Sequence, residues 1–600
     1  MRGWTRRWID RLDGLGLETH RSTDLVDRLL AARGLVEAAD RDAFEKPTLA
    51  GLHHPSTLPG AAEAAVRLVE AVRSGRKIAI FGDYDVDGIM SSAILHHVIS
   101  LVDPECTPRL YVPHRVEEGY GLNVGAIERL AEEGVDLIIS VDCGVTAFAE
   151  CDRARALGVE LIITDHHAFA RGVDGAVQLP EPDLLVHPMR PDAPAPFTEL
   201  CGAGVVLKLA WAFLERWCNS KRLWEPQRAL LLEMFSFAAL ATIADVVPLV
   251  GENRIIVAHG LKIMPQNTKS GLKALIDACG FNKPDTTIQS SDVGFRIAPV
   301  LNAAGRLGSA EDALALMTTA TDTEAGAIAA DLVKLNRQRQ DLCKKTTEHA
   351  AELVEAGGFT SADRRAIVLA HEDWNPGLIG ICCSRLAEQF GRPVILMNKG
   401  ETAWRGSARS VPGFSVHEAL VRCAAIINKD EEGLVFGGHQ AAAGMTIAPD
   451  RFDQFVELFV EFANEGIQPE DLIPAIEVDA RAGLPELDLA LVRRMERMAP
   501  FGAGNPHPRL VLEGITLSNP VRMGAGGQHL RARVAAEGRS VGAVWWRVPD
   551  ILEDLVDVSR REQPMDLVVE PRINRWQGRE DVQLEIKDVR VHEKAPLATA

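Results

Sequence analysis

The 600-residue chain has ten cysteines but no CxxC pair, which argues against a zinc ribbon. The thiols are scattered at Cys106, Cys143, Cys151, Cys201, Cys218, Cys279, Cys343, Cys382, Cys383 and Cys423, a pattern that suits a reducing cytoplasm. No run of about eighteen apolar residues occurs, so no membrane partner is expected. The most apolar stretch, Met234–Ala244, lies between Glu233 and Asp245 and reads as a buried helix. The N-terminal MRGWTRRWID lacks the apolar core of a secretory signal, so none is expected. Internal repeats and low-complexity tracts are also missing. Positive charge is scarce: 65 Lys and Arg stand against 84 Asp and Glu, for a net charge of −19. That balance argues against a protein coated in nucleic acid. It does not exclude a nuclease, because carboxylates that hold divalent cations add to the negative count and a basic funnel can be local.

What the sequence does have is three acidic segments: GDYDVDG at 82–88, VDCG at 141–144 and TDHH at 164–167. Each follows an apolar run that reads as a β-strand, at 77–81, 136–141 and 160–164. Helical patterns alternate with these strands from about 60 to 190, including 63–73, 88–99, 124–133 and 147–157, with further strands at 109–112 and 183–186. That alternation predicts an α/β fold with a parallel sheet covered by helices on both faces. Ligands of such sheets bind beyond the carboxyl ends of the strands, where all three acidic segments fall.

Asp83, Asp85 and Asp87 alternate by two and would share one face of an extended chain. Three like charges on one face repel unless cations neutralise them. An EF-hand is excluded, because the position eleven residues after Asp83 is Ile94 and not Glu. Asp142 lies at the second strand end. Asp165, His166 and His167 lie at the third, and in an extended chain the two imidazoles point to opposite sides. Carboxylate and imidazole without thiolate suit Mn²⁺ or Mg²⁺. Two such ions clamp a phosphate and activate water for in-line attack, so phosphoester hydrolysis is the leading hypothesis. Asp245, in ATIADVVPL, closes an apolar helix where its charge opposes the macrodipole, which marks it as a further ligand candidate.

Downstream, a long helix is expected from about Thr323 to Ala356, on the order of 50 Å at ~1.5 Å per residue. A second α/β lobe is signalled by the strands RAIVLA (365–370) and PVILMN (393–398) and by GGHQAAAG (437–444). From about 474 the pattern alternates by twos between Gly-rich turns, which predicts a small antiparallel barrel. Residues 1–40 read as helical.

These residues resemble the DHH phosphoesterase superfamily and, within it, the RecJ family of single-strand exonucleases. The resemblance rests on the three acidic segments and ADVVPL (244–249), and continues through RIAPVLNAAGRLG (296–308), WNPGLIGICCSRL (374–386), GSARS (406–410), FGGHQAAAG (436–444) and PFGAGNPHP (500–508). It implies an N-terminal helical cap (1–45), a DHH catalytic domain (46–270), a linker with the long helix (271–360), a DHH-associated nucleic-acid-binding domain (361–468) and an OB-fold-like barrel (469–600). It also implies degradation of single-stranded DNA from the 5′ end in recombination and repair, with two Mn²⁺ or Mg²⁺ ions. Further implied partners are a helicase and a single-strand-binding protein, in the cytoplasm. Strand direction and DNA preference come only from the resemblance.

Carried over by motif, Asp83, Asp85, Asp87, Asp142, His166 and Asp245 are the implied metal ligands, with Asp142 bridging. Asp85, Asp142 and His167 are the implied catalytic groups, His167 touching the scissile phosphate, and Asp165 orients an imidazole. Phe81 stands where some superfamily members carry His. Asn375 stands where the family usually has His, and its amide keeps hydrogen bonding but carries no charge. The implied nucleic-acid contacts are Arg296, Asn302 and Arg306 around the LNAAG loop, Ser407 and Arg409 in one Gly/Ser-rich turn, and Gly437, Gly438 and His439 in another, all in a cleft between lobes. In the barrel, Trp576 is a stacking candidate, and at least one of Trp545 and Trp546 belongs in the core because strand neighbours face opposite sides. Two alternatives remain. An oligoribonucleotide or cyclic-dinucleotide phosphodiesterase is disfavoured by the extra residues 474–595. A non-catalytic replication scaffold is disfavoured by the complete ligand set.

Overall fold

Strands Arg109–Tyr111, Ile78–Gly82, Leu137–Val141, Glu160–Thr164 and Leu184–Val186 lie side by side in that order, every neighbouring pair parallel. This computed structural model describes residues 3–11, 24–115, 118–172, 175–283, 286–427, 436–524, 526–548, 551–561 and 563–591. One compact unit comprises Lys46–Gln340 with Pro500–Pro506. The other comprises Met1–Glu45, Asp341–Ala499 and His507–Ala600.

The two central strands, Ile78–Gly82 and Leu137–Val141, are buried along their whole length, as a sheet covered on both faces requires. Alternate residues feed opposite cores. Ile78, Ile80, Leu137 and Ile139 pack with helices Ala61–Arg73, Val86–Val102, Gly202–Cys218 and Glu225–Ala244. Ala79, Phe81, Ile138 and Ile163 pack with helices Val124–Glu132 and Phe148–Leu157. Helix Glu225–Ala244 is long and apolar enough to cross a membrane by composition, but it is mostly buried inside the unit and serves as a core helix.

The long helix spans Asp322–Ala356, 35 residues, and continues the chain from the first unit into the second. The second unit opens with a mixed sheet in the order Phe436–His439, Ala442–Ile447, Trp404–Arg409, Val394–Asn398, Ile367–His371, in which only the last pair is parallel. Five strands then close a barrel: Leu510–Met523, His529–Ala536, Arg539–Trp545, Arg579–Val591 and Met565–Trp576, which pairs back to the first. The barrel is not wholly antiparallel as expected. Arg539–Trp545 and Arg579–Val591 run parallel, because helix Leu552–Arg560 and strand Met565–Trp576 intervene between them and return the chain to the same end. Trp545, the last residue of its strand, is buried, and Trp546, in the turn that follows, is half exposed.

The N-terminus also differs from its all-helical expectation. Arg7–Asp10 is a strand paired in parallel with Ala475–Val478, ahead of helices Leu25–Ala31 and Ala38–Glu45. Trp8 drives this: it is buried, and its indole N–H donates to Asp588 Oδ2 at 2.7 Å.

Candidate metal centre and nucleic-acid interface

Four parallel strands of the first unit end in polar residues: Asp83, Asp142, Asp165 and His187. Their side chains meet there with residues from three helices. Asp85 does not continue the strand. It is the N-cap of helix Val86–Val102, and its Oδ1 accepts from the N–H groups of Asp87 (2.8 Å) and Gly88 (3.2 Å). The expected extended face of three aspartates is therefore corrected. The chain turns helical at Asp85, because an Asp followed by free N–H groups caps better than it pairs in a ladder, and Asp87 is carried into the first helical turn.

Asp87 is held from outside by the start of helix Gly202–Cys218. Its two oxygens accept from Gly202 N–H at 2.6 Å and Ala203 N–H at 2.7 Å, so the helix's positive end faces a carboxylate. Glycine is needed at 202 because a Cβ there would stand 2.5 Å from Asp142 Oδ1. Asp142 has φ of 61° and Val246, just after Asp245, has φ of 62°. Left-handed backbone at a non-glycine residue costs about 1–3 kcal/mol, and here it flanks the cluster on both sides.

His166 Nε2 lies 3.2 Å from Asp142 Oδ1, 3.6 Å from Asp87 Oδ2 and 3.7 Å from Asp245 Oδ2. Asp83, Asp85 and Asp142 form a second group, and Asp142, Asp165, His166 and His167 a third, each with donor atoms within 4.8 Å of one another. Asp142 belongs to both of these groups. The expectation that the two imidazoles diverge is corrected. Their centroids lie 4.4 Å apart and both face the cluster, because Asp165 Oδ1 gathers the N–H groups of His166 (2.7 Å) and His167 (3.1 Å) and also bonds His167 Nδ1 (2.7 Å).

The titration tendencies follow from this crowding. Burial, reinforced by Asp87 and Asp85, pushes Asp142 well above the usual carboxylate range, and burial with Asp85 does the same to Asp83. Burial and Asp87 raise Asp245 to about 8. Asp165 goes the other way: burial opposes its charge, but the hydrogen bond and charge of His167 hold it at about 2. His167 is also buried against its charge, yet Asp165 raises it to about 9. His166 is lowered by burial.

Several groups here were not singled out in the sequence. Gly202 and Ala203 lie within a small-residue run, CGAG at 201–204, that opens an apolar helix, which is a readable signal. His187 is fully buried, and its Nε2 donates to His167 O at 2.9 Å, bracing that residue's backbone. The chain has three tyrosines, and two of them, Tyr84 and Tyr120, lie at this site. Tyr120 OH sits 3.2 Å from His167 Nδ1, and the Arg115 guanidinium lies 4.8 Å over the Tyr84 ring. Cys143 is buried filler, as expected, and Phe81 is a buried ring stacked on Tyr111.

Arg296, Asn302 and Arg306 belong to the same unit. Arg296 stacks 4.0 Å over Phe281 and donates to Cys279 O (3.0 Å) and Asp292 Oδ1 (3.3 Å). Asn302 and Arg306 lie on helix Ala298–Leu307, where Gly305 packs against Tyr84.

The other predicted contacts are in the second unit, on strands rather than turns. Ser407 and Arg409 lie on Trp404–Arg409, and Gly437, Gly438 and His439 on Phe436–His439. Glycines suggest turns, but here Gly406 and Ala408 are small because the strand is buried on that face. The register aligns Ser407 with Gly444 and Gly437, and Arg409 with Ala442 and His439. A Cβ on Gly380, in the first turn of helix Ile379–Phe390, would lie 3.2 Å from Arg409 and 3.4 Å from Ser407 Oγ. A hydroxyl, a guanidinium and a helix start therefore converge where helix Ile379–Phe390 meets the sheet. Asn375 turns the chain into that helix, its Oδ1 accepting from Gly377 N–H at 2.8 Å. Trp576 is 70% exposed on the barrel.

The chain matches the DHH family, N-terminal domain, over residues 77–241, the DHHA1 domain over 363–465 and the RecJ OB domain over 478–588. It is 35% identical over 586 residues to the single-stranded-DNA-specific exonuclease RecJ of Bacillus subtilis (strain 168), covering 97% of this chain and 70% of that protein. It is 31% identical to the Escherichia coli RecJ, covering 84% and 85%. The crystal structure of RecJ in complex with Mn²⁺ from Thermus thermophilus superposes with a TM-score of 0.75 at 31% identity, over 94% of this chain and 76% of that one. With these matches spanning nearly its whole length, the chain belongs to the RecJ family of DHH proteins.

Proposed function

We propose that this protein is a single-strand-specific DNA exonuclease that uses two Mn²⁺ or Mg²⁺ ions. It hydrolyses phosphodiester bonds from the 5′ end to mononucleotides, in recombination and repair. One observation carries the reading. Asp83 Oδ1, Asp142 Oδ1 and His166 Nε2 are buried with no hydrogen-bond partner, and they belong to overlapping groups of donors. Buried orphan atoms of this kind are costly unless something fills the space between them. Carboxylates and imidazole without thiolate fit hard divalent cations.

On this reading Asp83, Asp85, Asp87, Asp142, His166 and Asp245 would hold the ions, with Asp142, shared by two donor groups, as the ligand common to both. When bound, the cations supply the clamp on the phosphate and the acidification of a water. The chain's own groups do the rest. His167, oriented by Asp165, would carry a proton to the leaving oxygen. Ser407, Arg409, Gly437, Gly438 and His439 receive a phosphate of the strand, and Arg296, Asn302, Arg306 and Trp576 serve the rest of the polymer. The corresponding domains are a cap at 1–45, a catalytic domain at 46–270, a linker at 271–360, a nucleic-acid-binding domain at 361–468 and an OB-like barrel at 469–600. A nuclease limited to single strands needs a helicase to supply them and meets a single-strand-binding protein on them. Ten free thiols suit the cytoplasm, where those partners work.

The test uses Mn²⁺ and single-stranded DNA labelled at either end, beside duplex DNA, a linear dinucleotide and a cyclic dinucleotide. Mononucleotides released from a free 5′ end of single strands are expected. Rapid dinucleotide turnover with intact single strands would refute the reading.

A further inference from the structure

Helix Ala298–Leu307 is preceded without a break by a π-helical turn, Val293–Ile297, and by Ser290–Asp292. The sequence explains the turn. Pro299 has no N–H to donate, and in an ordinary α-helix its ring would strike the carbonyl four residues back, which is that of Phe295. The wider turn avoids that clash, with Ala298 N–H donating to Val293 O, five residues back. Val293, Ile297 and Leu301 point inward and are fully buried. Phe295 points outward and is 81% exposed, the most exposed large hydrophobic side chain among the described residues.

Its position is tied to the metal centre at both ends of the helical run. Next to it, Gly294 packs against Ile243, 3.6 Å from a Cβ built there, and Ile243 precedes Asp245 by two residues. At the far end, Gly305 lies against the backbone of Tyr84, between Asp83 and Asp85, with only 2.9 Å to Tyr84 O from an added Cβ. Arg296 pins the turn through its stack on Phe281 and its bonds to Cys279 O and Asp292. A second exposed apolar side chain, Val246 at 68%, follows Asp245 with its backbone at φ 62°. Isolated exposed hydrophobics are ordinary. A phenyl ring held out by a π-turn packed against elements that carry the candidate ligands is not, since π-turns concentrate at functional sites.

We propose that Phe295 is a substrate-positioning residue that stacks on a nucleobase of the strand entering the metal centre. This rests on the single-strand nuclease reading above. A phenyl ring has no polar group with which to read base edges. Its face accepts any unstacked base, so it holds the polymer without sequence preference. Stacking removes the ring from water and fixes one nucleotide relative to the elements that carry Asp83, Asp85 and Asp245.

The test compares wild type, Phe295→Ala and Phe295→Tyr in Mn²⁺ on single-stranded DNA, and on a series carrying one abasic site at successive positions. Phe295→Ala is expected to raise KM about five- to thirty-fold, equivalent to ~1–2 kcal/mol, with kcat within twofold, and Phe295→Tyr is expected to restore it. At one abasic position the wild type should lose the same factor and Phe295→Ala should lose nothing further, which a merely structural role would not produce. A Phe295→Ala enzyme with wild-type KM, or one that loses as much as the wild type at every abasic position, overturns the stacking role alone. A wild type inert on single strands overturns the nuclease reading and the stacking with it.

Discussion

Replacing Gly202 with alanine adds one methyl group at the start of a helix, a change that ordinarily favours the helix by about 1 kcal/mol. Here the methyl would lie 2.5 Å from Asp142 Oδ1, 2.7 Å from its Cβ and 2.8 Å from its Cγ. Ordinary contact begins near 3.4 Å, so Asp142 or the helix start must move by roughly 0.6–0.9 Å (3.4 less 2.8, and 3.4 less 2.5). Neither moves freely. Asp142 is buried in a left-handed backbone conformation, and its N–H is bound to Thr164 O at 3.0 Å. The Gly202 N–H holds Asp87 at 2.6 Å, so a shifted helix carries that carboxylate with it. Overpacking of this kind costs about 1–3 kcal/mol and outweighs the propensity gain. A displacement near 1 Å at reacting groups costs on the order of 10²-fold in rate. Gly202→Ala is therefore expected to cut kcat on single-stranded DNA about 10²-fold. Its affinity for the strand in EDTA, read by fluorescence anisotropy, should stay at the wild-type value. A variant with kcat within threefold of wild type would refute the placement of Asp142 against the helix start.

Two further outcomes follow from the electrostatics. Asp142→Asn removes a carboxyl group that burial, Asp87 and Asp85 disfavour in its charged form, so its metal-free unfolding midpoint should rise, while the gain on adding Mn²⁺ should shrink. At a hundred times the dissociation constant that gain is ~2.7 kcal/mol in the wild type, and undiminished Mn²⁺ stabilisation of the variant in a thermal scan would contradict the bridging role. In the second unit, burial and the Arg572 guanidinium, which donates to its Nε2 at 2.6 Å, hold His507 at about 3. The unfolded chain takes up that proton near pH 6.5 and the folded one does not. Stability is thus full above about pH 6.5 and falls as pH drops toward about 3, with a slope of up to ~1.4 kcal/mol per pH unit. Denaturant titrations at several pH values should show a shallower acid slope for His507→Gln, and an unchanged slope would exclude this histidine as the source.

Much of the first unit was legible because its signals are local. Apolar runs bounded by turn residues marked the strands, and the parallel order placed their carboxyl ends, with Asp83, Asp142 and Asp165, on one side of the sheet. The long helix was legible as well, expected from about Thr323 to Ala356 and found at Asp322–Ala356. The errors came where a local pattern admits two conformations. Asp83-Tyr84-Asp85-Val86-Asp87 reads as an extended alternation, but Asp85 caps a helix in its middle. Ser407 and Arg409 read as a glycine-rich turn but lie on a strand whose small residues answer to Met397 and Met445 beside Gly406. The parallel pair in the barrel was hidden because alternation by twos carries no information about direction.

The sequence alone determined which residue types are available and that aspartates and histidines would end neighbouring strands, because periodicity and strand-terminating residues are properties of adjacent positions. Only the tertiary structure decided what those side chains face. Gly202 and Ala203 reach Asp87 across more than a hundred residues, and Asp245 arrives at His166 from the end of a separate helix. The backbone at Asp142 and Val246 is held in a conformation neither residue prefers. Such contacts depend on how covered faces pack, and packing satisfies distances through space that no spacing along the chain encodes.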